Sequence, residues 1–164
     1  MCKQKTIAKA IEFSGVGLHT GQSSTILIEP ADENYGIKFQ RIDLDNQPII
    51  PASIDLVVET QRSTTIEKNG VKIVTVEHLL SALYALGVNN ALIKIDGPEI
   101  PILDGSAKYF VLKIEEVGLK DQKEDVEFIS FEKSYSFSDP DTGSEILYVP
   151  GDQFIASVVL DYNT

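Results

Sequence analysis

The sequence predicts an α+β fold, with short strands and two amphipathic helices in one domain and further strands after it. Three observations carry this expectation. β-rich runs recur between glycine, proline and asparagine turns. Two segments place apolar residues at helical spacing. The charge then changes abruptly, since residues 1–120 hold 15 acids against 12 bases and residues 121–164 hold 10 against 2. The step falls at Lys120-Asp121-Gln122-Lys123-Glu124-Asp125, a polar stretch that reads as a boundary. The division predicted is a complete domain over residues 1–120, a linker over 121–126 and part of a second domain, strands only, over 127–164.

Element by element, Thr6–Phe13 and Ser24–Glu29 are strands flanking a glycine-rich turn, with Gly36–Gln40 and Ser53–Val58 as weaker strands. Ser63–Glu67 and Val71–Val76 flank Lys68-Asn69-Gly70, and Asn-Gly between β-branched runs signals a hairpin. Val76–Leu86 is the first helix. Its Val76, Leu79, Leu80, Leu83 and Leu86 share a face, and Thr75 and Gly87 are candidate caps. Ala91–Ile95 alternates as a strand. Ala107–Val117 is the second helix, striped by Phe110, Ile114 and Val117 between Ser106 and Gly118. Glu127–Phe137, Ile146–Val149 and Phe154–Asp161 are strands with no helix after them. Strands alone would leave one face open, so the chain is expected to stop partway through its second domain.

Composition narrows the function classes. The chain has 164 residues, 43% hydrophobic and 24% charged, with a net charge of −11. Those values belong to a globular protein and exclude collagen, coiled coil and wholesale disorder. An acidic chain lacks the basic stripe of a nucleic-acid binder and is repelled by anionic membrane surfaces. No apolar run nears the roughly 18 residues of a membrane span. The single cysteine, Cys2, allows no internal disulfide, which suits a reducing cytoplasm.

Three segments could carry chemistry. Gly15-Val16-Gly17-Leu18-His19-Thr20-Gly21 can bring backbone close to a ligand. It misses the dinucleotide fingerprint by one residue, and a strand rather than a helix follows it. A plain hairpin turn is the competing reading, although His19 is better placed for a site than for a core. In Thr75-Val76-Glu77-His78-Leu79, both Glu77 and His78 point away from the apolar stripe, in a first helical turn friendly to an acid. A carboxylate beside an imidazole can be a general base next to a metal ligand. Position 82 is Ala, so the two-histidine zincin motif is absent, and a solvated first turn is the competing reading. In Pro98–Ala107 two prolines impose an extended path, and Asp104-Gly105-Ser106 turns into the second helix, so Asp104 reads as architecture. Two histidines and one cysteine are few donors for a catalytic zinc, which takes three protein ligands and an open position. If zinc binds, part of its shell is expected outside this chain.

Taken in series, GVGLHTG (15–21), Ser63-Thr64-Thr65, TVEHLL (75–80), LGVNN (86–90) and PEIPILDGSA (98–107) resemble the UDP-3-O-acyl-N-acetylglucosamine deacetylase family, zinc enzymes of lipid A biosynthesis in Gram-negative bacteria. The resemblance runs from Lys5 to Val117 and more weakly to Thr164. It implies a two-layer sandwich of mostly antiparallel sheet packed on two helices, followed by the opening strands of a second, similar domain, with the active site between the two. It implies further that His78 binds Zn2+, that Glu77 is the general base, and that His19 and Ser63 meet the substrate. It places Gly17, Gly21 and Asp104 near the site in structural roles. The remaining zinc ligands, a His and an Asp four residues apart, would lie beyond Thr164. The expected partners are therefore the UDP-sugar acyl substrate and the missing C-terminal half, fused in some lineages to a 3-hydroxyacyl-carrier-protein dehydratase. This chain would then be inactive alone. The alternative is a non-catalytic binding or assembly module that keeps the fold.

Overall fold

The computed structural model describes residues 2–160 and divides into two compact units, 1–126 and 127–164. In the first unit the main sheet has five strands. These are β2 (Ile11–Val16), β3 (Ser23–Pro30), β4 (Ile37–Arg41), β5 (Ile49–Pro51) and β9 (Ala91–Ile95), in the order β2-β3-β9-β4-β5. All neighbours are antiparallel except β4 and β9. The period-2 pattern explains the buried face. Ile26 and Ile28 of β3 sit opposite Ile95 and Ile93 of β9, and Phe39 of β4 lies beside Ile93, all fully buried. Helices α1 (Glu77–Ala85) and α2 (Lys108–Val117) share this core through Leu79, Ala82 and Leu83 on one and Phe110 and Ile114 on the other. The Phe110 ring meets Phe13 of β2 edge-on, centroids 4.9 Å apart, and so fastens α2 to the sheet. The structure is thus α+β, with two helices on a mainly antiparallel sheet.

A smaller sheet of β6 (Val57–Glu59), β7 (Thr65–Lys68) and β8 (Val71–Ile73) carries the expected Asn-Gly turn, where Asn69 and Gly70 take φ of +51° and +80°. Just ahead of it, Ile54–Leu56 forms a short 3-10 turn, so the predicted strand over Ser53–Val58 shrinks to its end.

Two further expectations about strands in the first unit fail for physical reasons. Thr6–Phe13 is not one strand. Its first part belongs to β1 (Lys3–Ile7) and its last to β2, and the two lie in different sheets. The predicted linker over 121–126 is instead mostly β10 (Leu119–Asp125), paired antiparallel with β1. Its charges belong to a solvated ladder. Lys3 reaches both Asp125 (2.8 Å) and the Lys123 carbonyl (2.8 Å). Composition cannot separate a linker from a charged strand at a sheet edge.

A buried amide, that of Asn90, ties distant parts of this unit together. Asn90 accepts from the Gly36 N–H at 2.8 Å and donates to Gln4 Oε1 and Gln122 Oε1, each at 2.8 Å. Gln122 passes the network to the Ala31 carbonyl and Gln4 to Asn34. Segments far apart in the chain meet at one satisfied polar cluster.

The second unit holds a hairpin of β11 (Tyr135–Ser138) and β12 (Glu145–Tyr148), with Phe131 edge-on to Tyr135 and Tyr148. The long strand predicted over Glu127–Phe137 contracts to β11. The segment from Phe154 to Leu160 forms no strand, and Asp161 lies outside the described residues. An extended segment counts as a strand only when its N–H and C=O groups find a neighbouring ladder, and none is offered here among the described residues.

Candidate active site

The loop between β2 and β3 is closed on itself. Gly17 N–H donates to the Gln22 carbonyl (2.8 Å) and Gly21 N–H to the Gly17 carbonyl (3.1 Å), with Gly21 at φ +66°. Gly17 serves a different need. A Cβ there would fall inside contact distance of Glu99 Oε2 and 2.6 Å from Thr20 Oγ1, so only glycine lets the Glu99 carboxylate enter beneath the loop. That carboxylate takes the His19 N–H at 3.0 Å on Oε1 and the Thr20 N–H at 2.7 Å on Oε2. The His19 backbone is therefore tied down while its side chain is exposed to solvent.

The start of α1 is built from the other side. The Thr64 N–H donates to Glu77 Oε2 at 2.9 Å, and the Val76 N–H donates to the Thr64 carbonyl at 3.2 Å. Ser63, next to Thr64, is buried. Glu77 Oε1 faces His78, whose Nε2 is 3.9 Å away, and both side chains are partly exposed. One oxygen of Glu77 is thus fixed by backbone, and the other is left toward the imidazole.

Thr75 does not cap this helix as predicted. It takes φ +60°, rare for a β-branched residue, and its hydroxyl donates to Glu99 Oε1 at 2.8 Å. Helix α1 begins after Val76 with no side-chain cap. The threonine hydroxyl was drawn to a buried carboxylate instead of to the helix amides.

Sequence reasoning overlooked Glu99, the residue where the three segments converge. The residue is 1% exposed. Burial opposes its charge, yet the donors from His19, Thr20 and Thr75 outweigh this and hold the carboxyl below its ordinary range. An acid between two prolines in an otherwise apolar run was the available signal. Asp104 stands apart from this cluster. It is exposed at the approach to α2, where it accepts from the Ser106 hydroxyl (2.9 Å) and N–H (3.1 Å), contacts that lower its pKa in that order.

Taken as metal donors, Glu77 and His78 are two adjacent groups on one helical turn. No group of three or more His, Cys, Asp or Glu able to hold an ion occurs among the described residues. At the start of α1 the site thus offers one imidazole with a carboxylate beside it, where a catalytic zinc takes three protein ligands. No helix among the described residues is long and apolar enough to cross a membrane.

The family described as UDP-3-O-acyl N-acetylglycosamine deacetylase (LpxC) matches residues 4–164. The chain belongs to this family. It is 48% identical over its whole length to the bifunctional enzyme LpxC/FabZ of Bacteroides thetaiotaomicron, of which it covers 36%. To the bifunctional enzyme LpxC/FabZ of Porphyromonas gingivalis it is 43% identical over 96% of its length, covering 34% of that protein. To the UDP-3-O-acyl-N-acetylglucosamine deacetylase of Methylococcus capsulatus it is 40% identical over 99% of its length, covering 53%. The chain therefore spans about a third to a half of the relatives it matches. Family membership accounts for the co-occurrence of the glycine loop, the Glu77-His78 pair and the Pro98–Ala107 run.

Proposed function

We propose that the protein containing this chain hydrolyses the N-acetyl group of UDP-3-O-acyl-N-acetylglucosamine in lipid A biosynthesis, releasing acetate, and works in the cytoplasm. The observation that carries this reading is the Glu77–His78 pair at the start of α1, with Glu77 Oε2 occupied by the Thr64 N–H and Oε1 turned toward His78 Nε2 at 3.9 Å. Membership of the deacetylase family supports it.

An amide carbonyl is a poor electrophile, so hydrolysis needs the carbonyl polarised and water deprotonated as it attacks. Bound zinc would supply the polarisation and a more acidic water. His78 is the ligand this chain would contribute, and the greater length of the relatives, of which the chain covers 34–53%, supports a shell completed outside it. Glu77 Oε1 takes the water proton and returns it to the departing glucosamine nitrogen, so atoms and charge balance across the step. Oε2 stays on the Thr64 amide, which keeps the base aimed. His19 and Ser63 are assigned to the substrate side, with Gly17 and Gly21 shaping the loop. On this reading the chain alone does not turn over. The bifunctional relatives support a dehydratase fused further downstream.

The test is acetate release from the acylated UDP-sugar by the full-length protein, abolished by a chelator and restored by zinc. Activity that survives complete metal removal overturns the zinc assignment. In the same protein His78→Ala is expected to lose bound zinc, since removing one of three ligands weakens such sites severely. Wild-type zinc content in that variant rejects His78 as a ligand.

A further inference from the structure

Glu99 is buried, and no cation pairs with it among the described residues. Such a carboxylate is costly unless hydrogen bonds replace its water. Here every recorded partner of its side-chain oxygens is a donor, namely the His19 N–H, the Thr20 N–H and the Thr75 hydroxyl. The two backbone N–H groups can only donate, one to each carboxylate oxygen, so both positions call for an acceptor. Glutamine would turn an NH2 toward one of those N–H groups. Gly17 leaves the space for a Cβ empty where Glu99 enters, so loop and carboxylate are fitted to each other.

The backbone repeats the connection. Val74 N–H donates to the Pro98 carbonyl (2.8 Å) and Ile100 N–H to the Val74 carbonyl (3.1 Å), bridging residue 74 to residue 99. Thr75 follows at φ +60°, and Glu77 and His78 come two and three residues later. A strained backbone of this kind persists only where its surroundings hold it.

We infer that Glu99 is a positioning residue for the deacetylation proposed above, pinning the His19 loop to the turn that launches Glu77 and His78. It touches no reacting atom. It sets the relation between the part of the site assigned to substrate and the part assigned to chemistry, and displacements near 1 Å in such relations can cost about 10²-fold in rate.

The test uses the full-length protein and reads pinning separately from activity. Glu99→Gln is expected to raise deuterium uptake by about tenfold in residues 15–22, and leave β3 and β9 unchanged. Its kcat should fall by about 10²-fold while KM for the UDP-sugar rises. Thr75→Val cuts only the link to the helix start, so it should lower kcat by about tenfold with KM little changed, and Thr75→Ser should restore kcat. General destabilisation would produce neither the confined exchange nor this division. Unchanged exchange in residues 15–22, or kcat and KM both near wild type in Glu99→Gln, overturns the inference. Should Glu99→Gln fail to fold, the threonine pair decides, because Thr75→Val with wild-type kcat refutes the pinning and loss restored by serine supports it. If the wild-type protein releases no acetate, the proposed function fails while the exchange result still decides the pinning.

Discussion

Glu77→Gln in the full-length protein is expected to lose about 10²–10⁴-fold in kcat, the usual contribution of a positioned general base. The substitution is close to isosteric. Its carboxamide oxygen can still accept the Thr64 N–H that Glu77 Oε2 accepts at 2.9 Å, so the start of α1 should hold its shape. What disappears is the basic lone pair on the atom that faces His78. On the proposed assignment, in which Glu77 holds neither substrate nor metal, the loss should fall on kcat, with KM and bound zinc almost unchanged. Steady-state kinetics with metal analysis on one preparation separates these possibilities. A variant within about tenfold of wild type removes Glu77 from the role of base. A variant that has lost its zinc instead makes Glu77 part of the metal site.

Asn90→Leu is expected to cost the first unit about 3–5 kcal/mol, the largest effect on stability foreseen here, since each stranded buried polar group costs about 1–3 kcal/mol and such costs overlap. Leucine nearly matches the shape of asparagine but makes none of its three hydrogen bonds. The Gly36 N–H and Gln122 Oε1 lose the partners they have at 2.8 Å, and Gln4 Oε1 keeps only the Asn34 N–H. For a unit of this size the loss corresponds to roughly 10–20 °C in Tm. Asn90→Asp should be nearly as damaging, because a carboxylate cannot donate to Gln4 or Gln122. Calorimetry of both variants checks this, and a fall below about 3 °C in Asn90→Leu would show that the network contributes little. The motif LGVNN is thus explained in part by folding, since Asn90 joins β4, β9, β1 and β10, and Asn89 accepts the Lys5 N–H at 2.8 Å.

Local chemistry was enough for much of this protein. Helix α1 could be placed to within a residue because Leu79 and Leu83 recur at helical spacing, and α2 because Phe110 and Ile114 do the same. The Asn69-Gly70 hairpin followed from the positive φ that those two residues tolerate. The order of the motifs along the chain was enough to point to the family, and Glu77 and His78 stood out as polar groups off an apolar stripe. These signals are short-range, so one strand of sequence holds them completely.

Long-range pairing decided the rest. Whether 121–125 is linker or strand depended on β1 lying alongside, nearly the whole unit away in sequence. Phe154–Leu160 has strand composition but no ladder to join. Thr75 reads as a helix cap until Glu99, 24 residues later, takes its hydroxyl. Gly17 reads as a flexible turn residue until the same carboxylate arrives beneath it from 82 residues away. A buried charge is identified by the donors that surround it, and those come together only when the chain folds.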